Sequence, residues 1–190
     1  MPRVFALLVF VVLGVAFPAS AVAQTSPTGG AQFSDADQAP IVAPGSKATL
    51  LPDGSAAAPA DAPPEVQAAI FAANKLLDKP YKYGGGHAKV EDSGYDCSGT
   101  VSYALRAAKL LKSPLDSSSF MRWGLRGKGT WITVYTNPGH AFAVIAGLRL
   151  DTSTGGITSR KIARTAERGP RWRVALRSAR GFKKRHPVGF

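Results

Sequence analysis

Cys97, the single cysteine among 190 residues, is the chain's one soft nucleophile. It stands in Asp96-Cys97-Ser98-Gly99, where an apolar helical run begins. Its sulfur would therefore feel the positive end of a helix dipole and the unpaired N–H groups of a first turn, both of which favour thiolate over thiol. A thiol nucleophile also needs a base, and the chain offers three imidazoles, His87, His140 and His186. His140 opens a strand and is the best placed. His87 lies in a glycine-rich loop and His186 in a basic tail, where surface residues are expected. One thiol excludes an intramolecular disulfide and a zinc site built from several thiolates. No cluster has metal-ligand spacing, and Gly84-Gly85-Gly86 lacks the Lys-Ser/Thr ending of a phosphate-binding loop, so no cofactor is expected.

The elements that must position these groups follow from periodicity. Pro63-Pro64 precedes an amphipathic run with Val66, Ala69, Ile70, Ala73, Leu76 and Leu77 on one face, stopped by Pro80, which predicts a first helix. A second helix is predicted from Cys97, with Val101, Ala104, Leu105, Ala108 and Leu111 on one face and Pro114 as its end. Asp116 to Gly129 reads as a polar bend holding Phe120, Met121 and Trp123. Thr130 to Asn137 alternates as a strand, Asn137-Pro138-Gly139 is a turn, and His140 to Ala146 with Leu148 to Thr152 reads as a hairpin around Gly147. Trp172 to Leu176 is expected to add a strand. Two helices followed by an antiparallel sheet make an α+β arrangement.

Parity supplies a third site residue. With a two-residue loop at Ala146-Gly147, Asp151 faces Phe142, a neighbour of His140 on one side of the sheet. Asp151 then lies diagonally across from His140, close enough to orient its second ring nitrogen. A nucleophile on a helix with a base and an orienting carboxylate on adjacent strands is the logic of cysteine hydrolases.

Pro80-Tyr81-Lys82-Tyr83-Gly84-Gly85, then Asp96-Cys97-Ser98-Gly99-Thr100-Val101, then Gly139-His140-Ala141-Phe142-Ala143-Val144 and Asp151 resemble the NlpC/P60 family of papain-like cysteine peptidases. The resemblance spans roughly residues 64–153. It implies a papain-like fold with the nucleophile helix packed on an antiparallel sheet, and cleavage of the peptide stems of bacterial peptidoglycan, commonly between D-glutamate and the diamino acid. It also implies Cys97 as nucleophile, His140 as base and Asp151 as third polar residue. Tyr81 would line the oxyanion region, with Asp96 and Ser98 reading the stem peptide.

The remaining chain sets the expected context. Met1-Pro2-Arg3, an apolar run from Val4 to Phe17 and the small-residue stretch Ala19 to Ala23 have the parts of a secretory signal peptide, with cleavage expected after Ala23. The apolar run is too short to span a bilayer, so no stable membrane anchor is expected after cleavage. From Gln24 to Pro63, 24 of 40 residues are Ala, Pro, Gly or Ser, which predicts a disordered linker. A catalytic domain is expected over 64–155, followed by a basic extension over 156–190, partly packed on it through Trp172, Val174, Leu176 and Phe182.

Charge is placed unevenly. The formal net of +12 divides into −2 over residues 1–63, +4 over 64–155 and +10 over 156–190. Export argues against nucleic acid as a partner, so anionic wall polymers are the expected partners of the tail, beside peptidoglycan itself. The expectation is a secreted or wall-associated peptidoglycan endopeptidase. Its rivals are an amidase or acyltransferase on the same scaffold and a non-catalytic wall-binding module.

Overall fold

The local chemistry around Cys97 builds its helix as expected in a computed structural model that describes residues 40–153, 169–174 and 178–190. The expected signal peptide and residues 24–39 of the expected linker lie outside the described residues. Helix α1 (Pro64–Asn74) starts with a proline at its first turn, where the missing N–H costs nothing, and buries Val66, Ala69, Ile70 and Ala73. Helix α2 (Cys97–Ala107) is capped by Asp96, whose carboxylate accepts the Gly99 N–H at 2.6 Å.

The end of α2 departs from expectation. Instead of running to Pro114 it stops at Ala107, because Lys109 takes a left-handed conformation (φ 59°). The Lys109 N–H then donates to Arg106 O and the Leu110 N–H to Leu105 O, the paired bonds of a Schellman stop. Leu111 stays buried beyond the helix end.

The region expected as linker is corrected over residues 40–63. These residues form a three-stranded sheet, with β3 (Ala56–Pro59) between β1 (Val42–Ala43) and β2 (Thr49–Leu50). Ala56, Ala57 and Ala58 are buried, with β3 lying against α1. Composition misled because alanine loses no side-chain entropy on burial and its small size lets backbones approach closely. Asn74, the last residue of α1, fixes the arrangement. Its side chain accepts the Ala56 N–H at 3.0 Å, donates to Ala56 O at 2.9 Å and accepts the Trp172 indole N–H at 2.8 Å.

After the four-residue helix α3 (Ser117–Phe120), capped by Asp116, come β4 (Leu125–Arg126), β5 (Ile132–Asn137), β6 (His140–Ile145) and β7 (Leu148–Asp151). Strands β8 (Arg171–Arg173) and β9 (Lys183–His186) complete a six-stranded antiparallel sheet in the order β4-β9-β5-β6-β7-β8. The architecture is α+β, as expected. One sheet face carries Ile132, Val134, Ala141, Ala143, Ile145, Leu148, Leu150 and Trp172 into a core shared with α1 and α2. The boundary expected at residue 155 is also corrected, since the basic extension supplies one edge strand and one interior strand. Its alternation of charged residues with Trp172 and the buried Arg185 is the period of strands with one face toward protein. Arg185 is accommodated by donating to the Met121 carbonyl oxygen.

Candidate active site

Three backbone devices bring the chemistry together. The first is the Asp96 cap, which starts α2 at Cys97. Asp96 takes the Gly99 N–H on its side chain and the Thr100 N–H on its carbonyl. The N–H groups of Cys97 and Ser98 thus remain outside the helical ladder at the positive end of the helix.

The second is the β6–β7 hairpin. Ala146 and Gly147 both have positive φ (46° and 93°), the signature of a two-residue loop whose twist suits the strands. The register Ile145↔Leu148, Val144↔Arg149, Ala143↔Leu150 then sets Asp151 on the same face as His140. The third is the parallel bridge Tyr81↔Tyr95, which lays the glycine-rich loop beside the segment leading into Cys97. Gly99 permits this approach, because a Cβ there would stand 2.0 Å from Gly85 O.

These devices bring Cys97, His140 and Asp151 into one line. His140 Nε2 is 2.9 Å from Asp151 Oδ1, and the same imidazole is near enough to the Cys97 thiol to lower its pKa. The Ala141 backbone N–H acts on the thiol in the same direction. Cys97 is 9% exposed and Asp151 only 1%. Asp151 is held in turn by Ser153, whose N–H donates to Oδ1 at 2.8 Å and whose hydroxyl donates to Oδ2 at 3.0 Å. Arg149 Nε stands 3.6 Å from Oδ2. Asp151-Thr152-Ser153 is therefore both a turn and an orienting device.

The electrostatics point one way. Burial alone would raise the Cys97 thiol pKa, but the bonds from His140 and from the Ala141 N–H outweigh it and hold the thiol below its ordinary value. Burial alone would lower the His140 pKa, but Asp151 and Cys97 outweigh it and push it up to about 9. Burial would also raise the Asp151 carboxyl, yet His140 and the Ser153 donors bring it below the usual range. The arrangement favours a thiolate–imidazolium pair backed by a carboxylate, which can deliver a sulfur nucleophile and then a proton.

The residues expected to read substrate are placed differently from one another. Tyr81 is 39% exposed beside the nucleophile segment. Asp96 and Ser98 are 8% and 4% exposed and engage the chain itself. The Asp96 carboxylate accepts the Gly84 N–H at 3.0 Å and the Ser98 hydroxyl at 3.0 Å, besides the Gly99 N–H. It also lies 3.1 Å from His87 Nε2, which in turn is 3.3 Å from Ser98 Oγ.

His87 is thus part of the nucleophile's surroundings and not the surface residue its glycine-rich context suggested. Only its nearness to the Asp-Cys-Ser box in the folded loop reveals this. His186 is half-buried at the end of β9 and not the surface residue expected, with Nδ1 3.0 Å from the Pro187 carbonyl oxygen and no place in the site. Among the described residues no three His, Cys, Asp or Glu side chains gather so as to hold a metal ion. Neither the family models nor the curated proteins searched contain a match to the chain.

Proposed function

We propose that the protein is a secreted cysteine hydrolase of the NlpC/P60 type that cuts peptide stems of bacterial peptidoglycan, at the bond between D-glutamate and the diamino acid. The observation that carries this reading is the Cys97–His140–Asp151 line, with the sulfur at a helix N-terminus and the imidazole fixed by a buried carboxylate. The motif residues that resemble the family are the ones that build this line. The excess of positive charge suits a wall rich in carboxylates and phosphates.

The chemistry proceeds in two halves. The Cys97 thiolate bonds to the scissile carbonyl carbon, and the carbonyl π electrons move onto oxygen, where the N–H groups of Cys97 and Ser98 receive the oxyanion. On collapse the C–N bond breaks, and the His140 imidazolium gives its proton to the leaving amine, leaving a thioester on Cys97. Water then attacks the thioester and gives a proton to His140, and the thiolate departs. Asp151 keeps one ring nitrogen engaged throughout, so the other always faces the sulfur and the leaving group.

The test is digestion of peptidoglycan of defined stem composition, with the new ends identified by mass spectrometry. Fragments with a free D-glutamyl carboxyl and a free diamino-acid amine, lost in Cys97→Ala, are the expected result. New ends at the sugar–peptide bond would make the enzyme an amidase. Unchanged release by Cys97→Ala would refute the nucleophile.

A further inference from the structure

The sheet face away from the helices carries a continuous aromatic array that ends on His140. Tyr135 stacks on Phe142 with ring centroids 4.8 Å apart and planes 1° apart. Phe182 meets Phe142 edge to face at 5.2 Å and 73°, and meets His140 at 6.3 Å and 79°. Phe142 lies 6.3 Å from the same imidazole. None of these three aromatic residues belongs to the core packed against α1 and α2, which is built from the opposite face of the sheet.

Phe182 comes from the C-terminal segment, 85 residues beyond the nucleophile. It immediately precedes β9, which is hydrogen-bonded to β4 on one side and β5 on the other. The C-terminal segment also supplies β8, whose Arg171 stands opposite Asp151 in the register. Both members of the His140–Asp151 pair are thus flanked by residues beyond 155.

We propose that Phe182 is a positioning residue for His140: its ring fixes the imidazole between Cys97 and Asp151 and keeps water away from the His140–Asp151 hydrogen bond. The inference rests on the cysteine hydrolase reading for its effect on turnover. Its effect on the imidazole stands apart from that reading. The His140 side chain is 19% exposed while that of Asp151 is 0% exposed, so the pair has one open side. An apolar ring over part of that side lowers the local dielectric and strengthens the bond beneath it. The charged groups around the imidazole are Cys97 from α2, Asp151 and Arg149 from β7, and Arg171 and Arg173 from β8, with Lys184 from β9 on the same sheet face.

The basic C-terminal segment is on this account a component of the catalytic centre. The test uses the full-length chain with Phe182→Ala, Phe182→Leu and Phe182→Tyr, and follows the His140 ring nitrogens by NMR titration. Wild type is expected to titrate near 9. In Phe182→Ala, water weakens the hold of Asp151 on the ring and also relieves the burial that opposes its charge, so the midpoint shifts away from the wild-type value by about one pH unit, with Phe182→Leu between the two and Phe182→Tyr close to wild type. On peptidoglycan, kcat in Phe182→Ala falls roughly tenfold with KM little changed.

Phe190→Ala, which trims an aromatic packed on the core, is expected to lower the melting temperature without moving the His140 midpoint. A wild-type titration in whichever of Phe182→Ala and Phe182→Leu folds would overturn the proposal. Wild-type protein that leaves peptidoglycan intact, with the midpoint still shifted by Phe182→Ala, would sink the hydrolase reading and leave the positioning role standing.

Discussion

Two imidazole–carboxylate pairs flank Cys97, and they have nearly the same length. His140 and Asp151 are 2.9 Å apart; His87 and Asp96 are 3.1 Å apart. What separates them is how each carboxylate divides its attention. Asp151 serves His140 and the two Ser153 donors from a fully buried position, and its charge helps push His140 up to about 9. Asp96 spreads its lone pairs over the N–H groups of Gly84 and Gly99, the Ser98 hydroxyl and His87. It is a cap and a clamp for the glycine-rich loop. The two carboxylates even act on the thiol with opposite signs. Asp151 supports the thiolate through His140, whereas Asp96, with no imidazole interposed, raises the thiol pKa. A His–Asp distance alone does not identify a catalytic pair.

The contrast can be broken by substitution, beginning with the largest effect. Cys97→Ala should abolish stem release, a loss of at least about 10⁴-fold in kcat/KM, while the fold survives. His140→Ala should cost about 10³-fold, since proton delivery to the leaving amine goes with it. Asp151→Asn should cost about 10² in kcat through misorientation of the ring. It should also move the alkaline limb of the activity profile down from about 9 toward the ordinary 6.5.

Asp96→Asn sharpens the comparison through a sign. With the cap geometry kept and the charge removed, the acid limb for thiol alkylation should move down, whereas in Asp151→Asn it should move up. Asp96→Ala should in addition lower stability by about 2 kcal/mol, read from denaturant melts, as the helix cap and loop clamp are lost together. The smallest effect is expected from His87→Gln, with activity within about threefold of wild type and little change in stability. An effect from His87→Gln as large as that of His140→Ala would exchange the roles of the two pairs.

Stability should follow the same assignment. The folded pKa of His140 lies above its ordinary 6.5, so its contribution is complete below that value and is lost as pH rises through about 9. The folded pKa of Asp151 lies below 3.8, so its contribution holds above that value and is lost as pH falls further. Thermal melts across pH should show a shoulder near 9 in wild type that is reduced in Asp151→Asn.

Local signals explain how much of the site could be read beforehand. The Asp96 cap, the Pro64 start of α1 and the Ala146-Gly147 loop are each written within a few residues, and the loop fixes the parity that pairs His140 with Asp151. What was not legible depends on distant partners or on size. The alanines of β3 become buried only because Asn74 and α1 offer a close-fitting surface. Strand β9 inserts between β4 and β5 some 50 residues after β5 begins, a pairing no local pattern specifies. Lys109 stops α2 in a conformation that a lysine does not advertise. His87 was missed because its partner, Asp96, is reached only when the glycine-rich loop folds back on the helix start.

The most direct test of the Cys97–His140 pair is the pH dependence of Cys97 alkylation by iodoacetamide in wild type and His140→Ala, followed by intact mass. The account predicts that wild type reacts at pH values below the ordinary thiol pKa of 9.0 and that His140→Ala shifts the profile upward. Superimposable profiles would contradict the claim that His140 makes Cys97 a nucleophile.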